Sequence, residues 1–158
     1  MFQYVSTSPQ DTARIAKLIG ERLPEGMIFC LDGDLGAGKT LFVQNLAKGM
    51  GIADEVTSPT FNIMNVYTGG VHLYHFDLYR LEQEEELEDI GFFDYISDPD
   101  GAVVIEWADK FVDSLPEDYI LIEITRFEDN ENKRLLSFSL RGEIFEDFFK
   151  EVEELCQY

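Results

Sequence analysis

An α/β fold with a mostly parallel central sheet, flanked by helices and carrying antiparallel additions, is predicted by three features of the chain. Short apolar runs, Met27 to Leu31 and Ala102 to Ile105, read as strands buried on both faces. The turn Gly33-Asp34-Leu35-Gly36-Ala37-Gly38-Lys39-Thr40 joins the first run to a helical pattern. Amphipathic helical spacing recurs near both ends. At 158 residues the chain suits one domain spanning 1–158, able to bury about two-thirds of its unfolded surface. No repeat, low-complexity segment or linker interrupts it.

The elements follow in order. Ser8-Pro9-Gln10-Asp11 starts a helix, with Ser8 as cap, Pro9 in the first turn and Asp11 closing a capping-box-like contact. Ile15, Leu18, Ile19 and Leu23 keep helical spacing until Pro24-Glu25-Gly26 stops it. A second helix is expected from Lys39 to Met50, with Phe42, Val43, Leu46 and Met50 inward and Gly51 as its stop. Strands at Asn62 to Tyr67 and Val71 to Asp77 flank Gly69-Gly70, a hairpin signal. Ala102 to Glu106 is another buried strand. Tyr119 to Thr125 and Leu135 to Leu140 form an antiparallel pair about the polar turn Glu128 to Asn132. Ile144, Phe145, Phe148, Phe149, Val152 and Leu155 mark a C-terminal amphipathic helix, whose Phe stripe reads as core rather than a ligand box.

The glycine-rich turn carries the chemistry. The pattern G-x-x-x-x-G-K-[ST] needs glycines because the backbone must curl with its N–H groups pointing inward at phosphate oxygens. Asp34, Leu35, Gly36, Ala37 and Gly38 supply that curl, Lys39 reaches the β- and γ-phosphates, and the Thr40 hydroxyl ligates Mg²⁺. The helix opening at Lys39 adds the positive end of its dipole. A glycine turn with an incidental lysine is the alternative, and the strand before and helix after argue against it. The fold is therefore expected to be P-loop NTPase-like, with Mg-ATP as its ligand.

Mg²⁺ also asks for a carboxylate at the end of a neighbouring strand. Two apolar runs end in one: Leu73-Tyr74-His75-Phe76-Asp77 and Val103-Val104-Ile105-Glu106. The second is the more completely apolar, as a central strand should be, so Glu106 is the expected metal partner, acting partly through water. Asp77 is then the candidate to orient or deprotonate the attacking water. The alternative for each is a strand-end charge in solvent. His75, Asp77 and Tyr79 share one face if the strand continues, and a lone His75 reads as structural rather than catalytic. Thr60, in the hydroxyl-rich stretch Thr57-Ser58-Pro59-Thr60, is placed either to meet the γ-phosphate or its metal, or simply in a turn before a strand. No guanine-reading Asn-Lys-x-Asp is present, since Asn132-Lys133 is followed by Arg134-Leu135.

Charge restricts the partners. Thirty-two acids against twelve bases give −20, a field that repels polyanions and disfavours direct nucleic-acid or anionic-membrane binding. The densest acidic run, Glu82 to Asp89, is a solvated face or a docking edge. No apolar run is long enough to span a bilayer. Two cysteines, Cys30 and Cys156, make no disulfide framework, and Met1 to Val5 lacks the start of a secretory signal, so a cytoplasmic address is expected.

Four motifs occur in order: Gly33 to Thr40, then Ser58-Pro59-Thr60-Phe61, then His75-Phe76-Asp77-Leu78-Tyr79-Arg80, then Glu106-Trp107. Together they resemble the bacterial TsaE (YjeE) family, the ATPase of tRNA threonylcarbamoyladenosine synthesis, over nearly the whole chain. The resemblance implies a P-loop fold binding Mg-ATP, Thr40 and Glu106 at the metal, Asp77 near the nucleotide, and work alongside TsaD and TsaB. It also implies that Arg134 lies near the nucleotide, as does a segment around Thr7 to Asp11. Two other classes fit the phosphate loop: a small-molecule P-loop kinase, and a nucleotide-gated binding module that barely hydrolyses. The kinase reading lacks an arginine-rich lid.

Overall fold

The computed structural model describes residues 1–53, 56, 63–97 and 99–157. Among them, seven strands form one sheet: β1 (Phe2–Ser6), β2 (Ile28–Asp32), β3 (Met64–Thr68), β4 (His72–Asp77), β5 (Gly101–Glu106), β6 (Tyr119–Phe127) and β7 (Asn130–Arg141). Their order is β1-β7-β6-β2-β5-β4-β3. The four central strands run parallel, whereas β1, β7 and β3 join antiparallel at the two edges.

Helices cover both faces. α1 (Pro9–Gly20), α2 (Lys39–Gly49) and α5 (Glu146–Leu155) bury Ile15, Ile19, Phe42, Leu46, Phe149 and Val152 against Phe29, Leu31, Val104 and Ile122 of the sheet. The opposite face takes α3 (Glu84–Asp89), α4 (Phe92–Ser97) and a 3-10 turn over Ala108–Ser114, through Leu87, Phe92, Ile96 and Phe111. A strand covered on both faces needs apolar residues at every position, and all six residues of β5 are buried.

The local rules mostly hold. Ser8 caps α1, its hydroxyl accepting from the Asp11 N–H at 3.1 Å. α2 ends with Gly51 at φ +81, the left-handed position that favours glycine. The closest helix contact is α1 on α2, where Gly20 and Gly49 face each other. A Cβ on Gly20 would strike the Leu46 carbonyl, and one on Gly49 the Lys17 carbonyl, so glycine is required by backbone approach. The Phe stripe of the last helix is core, as expected: Phe149 lies 5.2 Å from Phe2, which stacks on Phe138 at 4.6 Å.

Three expectations need correction. Ile144 is 74% exposed, because it precedes the helix and sits in the turn held by Asp118, which accepts from the Glu143 and Ile144 N–H groups. Tyr79 does not share a strand face with His75 and Asp77, since β4 stops at Asp77 and Tyr79 is exposed in the turn beyond. β1, α3 and α4 were not anticipated. β1 is an edge strand whose partner β7 lies near the other end of the chain, and the two helices are six residues each, too short to show a period. The acidic run largely forms α3: Leu87 points inward, and the Glu86 carboxylate accepts from the Glu82 and Gln83 N–H groups.

Candidate nucleotide-binding site

Parallel strands share a carboxyl end, and the three expected motifs that lie within the described residues meet there. β2 ends at Asp32, directly before the glycine loop; its neighbour β5 ends at Glu106, and β4, on the far side of β5, ends at Asp77, the register partner of Glu106. Crevices at this end of α/β sheets are where ligands bind.

The loop is a compact turn, with the Ala37 N–H donating to the Asp34 carbonyl at 3.0 Å. Asp34, Leu35 and Gly36 are exposed, while Ala37 and Lys39 are buried. Gly38 precedes α2 at φ +108, a conformation that a side chain would strain; this is the reason for glycine there. Lys39 Nζ donates to the Gly33 carbonyl at 2.6 Å, lies 3.9 Å from Glu106 Oε1 and sits 4.0 Å from the centroid of the Trp107 ring. A 7% exposed ammonium is thus held by one carbonyl, one carboxylate at longer range and one aromatic face.

Glu106 is 3% exposed. Its second oxygen, Oε2, accepts from His75 Nε2 at 2.5 Å. His75 is fully buried, and among the described residues its Nδ1 has no hydrogen-bond partner. An unsatisfied buried polar atom costs about 1–3 kcal/mol, so this histidine is not what packing alone would select. Asp77 is half-buried, and its Oδ1 accepts from the Tyr79 N–H at 3.0 Å. Burial, and secondarily the Glu106 charge, hold its carboxyl above the ordinary aspartate range. Such a shift moves a carboxylate toward the basicity of a useful proton acceptor.

Trp107 is the one non-glycine residue with positive φ among the described residues, at φ 58 and ψ 42. Left-handed backbone costs a side-chain-bearing residue about 1–2 kcal/mol. The ring is wedged between Lys39 and Tyr79, whose ring centroid is 5.0 Å away. Sequence reasoning placed Trp107 beside Glu106, near the site, but not against Lys39. The cation–ring contact depends on a turn that no local pattern announces.

Arg134, on β7, donates from Nε to the Ala37 carbonyl at 2.8 Å, so it braces the back of the loop. Its cross-strand partners are Ser6 on β1 and Arg126 on β6. Arg126, which sequence reasoning missed, has its Nη1 within 3.5 Å of where a Gly36 Cβ would lie. Arg126, Lys133 and Arg134 together place three of the chain's twelve bases at the turn end of this one hairpin, beside the loop. Thr60 lies outside the described residues, as do Ser58, Pro59 and Phe61.

Pairing of Ser6 with Arg134 also brings the β1–α1 turn, Thr7 and Ser8, to the site end. That turn is tied down by Asp11, whose carboxylate accepts from the Tyr4 hydroxyl at 2.7 Å, Arg14 at 3.0 Å and the Thr7 N–H at 3.3 Å. Burial alone would raise the Asp11 carboxyl, but these donors hold it below its ordinary value. A lowered carboxyl contributes stability above its unfolded-state pKa and loses it as pH falls through the folded one. Tyr4→Phe is therefore expected to lower stability by about 1–2 kcal/mol at neutral pH. The deficit should shrink as pH drops below the ordinary aspartate range, measured by urea denaturation at several pH values; a pH-independent deficit would assign it to packing.

What these residues offer is a phosphate cradle with a lysine, a threonine hydroxyl at position 40, and two strand-end carboxylates. No cluster of three or more metal-binding side chains exists among the described residues, so a metal here would draw further ligands from phosphate or water. No helix among them is long and apolar enough to cross a membrane.

Comparison with known proteins places the chain in a family. Residues 6–135 match the family model described as threonylcarbamoyl adenosine biosynthesis protein TsaE. A tRNA threonylcarbamoyladenosine biosynthesis protein TsaE from Treponema pallidum is 46% identical over 120 residues, covering 76% of this chain and 88% of that protein. The protein of the same name from Bacillus subtilis is 39% identical over 148 residues, covering 93% and 90%. A crystal structure of Bacillus subtilis YdiB superposes with a TM-score of 0.78 at 30% identity, covering 98% of this chain and 95% of that one. These matches cover most of the chain and agree with one another: this chain is a member of the TsaE family, with its P-loop NTPase-like fold.

Proposed function

We propose that this chain binds and slowly hydrolyses Mg-ATP as the ATPase component of tRNA threonylcarbamoyladenosine synthesis, acting in the cytoplasm alongside TsaD and TsaB. The observation that carries the reading is the convergence on Lys39. Its ammonium sits between the loop carbonyl of Gly33, the buried Glu106 and Trp107, in a chain whose relatives bear the biosynthetic name. Loop N–H groups from Asp34 to Gly38 receive phosphate oxygens, and Lys39 exchanges the Gly33 carbonyl for the β- and γ-phosphates. The available donors, the Thr40 hydroxyl and the Glu106 carboxylate, are hard oxygens of the kind Mg²⁺ takes. Bound there, Mg²⁺ would neutralise charge developing on the phosphates.

The chain's own residues divide the rest of the work. Glu106 holds the metal end of the site, directly or through water. Asp77, with its raised carboxyl, orients the attacking water and accepts its proton. Arg134 keeps the loop in its curled form through the Ala37 carbonyl, and with Arg126 and Lys133 offsets the acidic field where an anionic nucleotide must enter. Thr60 remains a candidate contact to the γ-phosphate.

Net charge sets how this protein meets tRNA. Lys39 is committed to phosphate and Arg134 to the loop, which leaves few bases to neutralise an RNA backbone. The isolated chain is expected to give no gel shift with tRNA at low salt, and to be retained by TsaD and TsaB with ATP more than without it. A micromolar tRNA complex, or partner capture indifferent to nucleotide, would overturn the reading.

A further inference from the structure

The buried pair His75–Glu106 has a chemical consequence that neither residue has alone. Glu106 presents two oxygens of different standing: Oε2 is taken by His75 Nε2 at 2.5 Å, while Oε1 lies on the Lys39 side at 3.9 Å. His75 reaches it diagonally across the parallel pair β4–β5, where His75 is opposite Val104 and Asp77 opposite Glu106. Both side chains are almost wholly inaccessible, so water does not compete for Oε2. An ionised carboxylate only accepts, hence Nε2 carries the hydrogen.

We propose that His75 is a positioning residue that leaves Glu106 a single oxygen for the metal, and so favours Mg²⁺ over Ca²⁺ at this site. The inference rests on Glu106 being the metal's carboxylate. Mg²⁺ demands near-ideal octahedral geometry and takes carboxylates through one oxygen while keeping several waters. Ca²⁺ accepts more ligands, at longer distance, and commonly takes both oxygens of a carboxylate. A histidine hydrogen-bonded to Oε2 occupies one of that oxygen's lone pairs and draws it away from the Lys39 side, which disfavours the two-oxygen mode. Among the described residues Nδ1 has no partner, which fits this reading: the ring is kept for what Nε2 does, since packing would prefer an apolar residue there.

Three variants and one spectrum test it. ATP affinity would be measured by calorimetry against increasing Mg²⁺ and, separately, Ca²⁺, after circular dichroism confirms folding. Residues that support a metal ligand typically change metal affinity about 10–100-fold when replaced. His75→Leu is expected to lower the ratio of Mg²⁺ to Ca²⁺ affinity about tenfold, at the low end of that range. His75→Gln, whose amide N–H can still donate to Oε2, should keep the parental ratio. A folded His75→Leu with the parental ratio would overturn the proposal, provided Glu106→Gln weakens the response to both metals. If Glu106→Gln changes neither response, the metal role of Glu106 fails, and the proposal with it. Should His75→Leu not fold, ¹⁵N-histidine spectra of the His72→Gln protein, which retains a single imidazole, decide independently. A protonated Nε2 is expected, and an Nε2 with the shift of an unprotonated nitrogen overturns the arrangement.

Discussion

Lys39→Ala is expected to weaken Mg-ATP binding about a hundredfold or more, measured calorimetrically at fixed Mg²⁺ on protein shown to be folded. A hydrogen bond to a charged group is worth about 1.5–3 kcal/mol, and the upper figure corresponds to about 150-fold. The upper figure applies here for two reasons. Lys39 is 7% exposed, so its contact to phosphate forms in a poorly hydrated pocket. The lysine is also the cation nearest to the buried Glu106, at 3.9 Å, in a chain of net charge −20. Removing it leaves Glu106 facing the incoming phosphates without that counter-charge, so repulsion adds to the lost contact. Affinity within threefold of the parent would refute the assignment of the loop.

The second large effect separates the two acids, although they are register partners on adjacent strands. Glu106→Gln should abolish most of the gain in ATP affinity that Mg²⁺ confers. Asp77→Asn should leave binding within about twofold and lower hydrolysis by about 10²–10⁴, the usual worth of a positioned general base. The difference follows from environment. Glu106 is buried and hydrogen-bonded to His75 beside Lys39, whereas Asp77 is half-buried, accepts through one oxygen from the Tyr79 N–H, and has a raised carboxyl. Trp107 reports on both, because its ring lies 4.0 Å from Lys39 Nζ and its fluorescence should shift when phosphate draws the ammonium away. Equal losses of binding in the two variants would show that the roles are not divided in this way.

Much of the site was legible because its chemistry is local. A phosphate loop is a run of eight residues whose backbone curl, lysine and hydroxyl are all specified within the run. The two strand-end acids follow from reading where each apolar run stops. β5 is buried at all six positions and lies between β2 and β4, the central place that its apolar run predicts, and Glu106 ends it. The C-terminal Phe stripe also read correctly as core, since helical periodicity needs no partner to be seen. Ile144 misled for the same reason: the period extended one residue back, past the point where Asp118 captures the chain.

By itself, then, the sequence determined the elements with a short-range cause: the loop, the caps, the buried strands and the acids that end them. Tertiary structure decided everything that depends on residues far apart in the chain. It set β1 beside β7, so that Ser6 and the β1–α1 turn came to lie next to Arg134, and it pointed that arginine at the Ala37 carbonyl. It pressed Gly20 against Gly49, where only a missing Cβ permits the approach of two helices. It brought His75, which read as structural rather than catalytic, to 2.5 Å from Glu106 Oε2. The physical reason is one of range. Backbone curl and periodicity act over a few residues and leave a pattern, whereas a hydrogen bond across 31 positions leaves none until the sheet brings its two ends together.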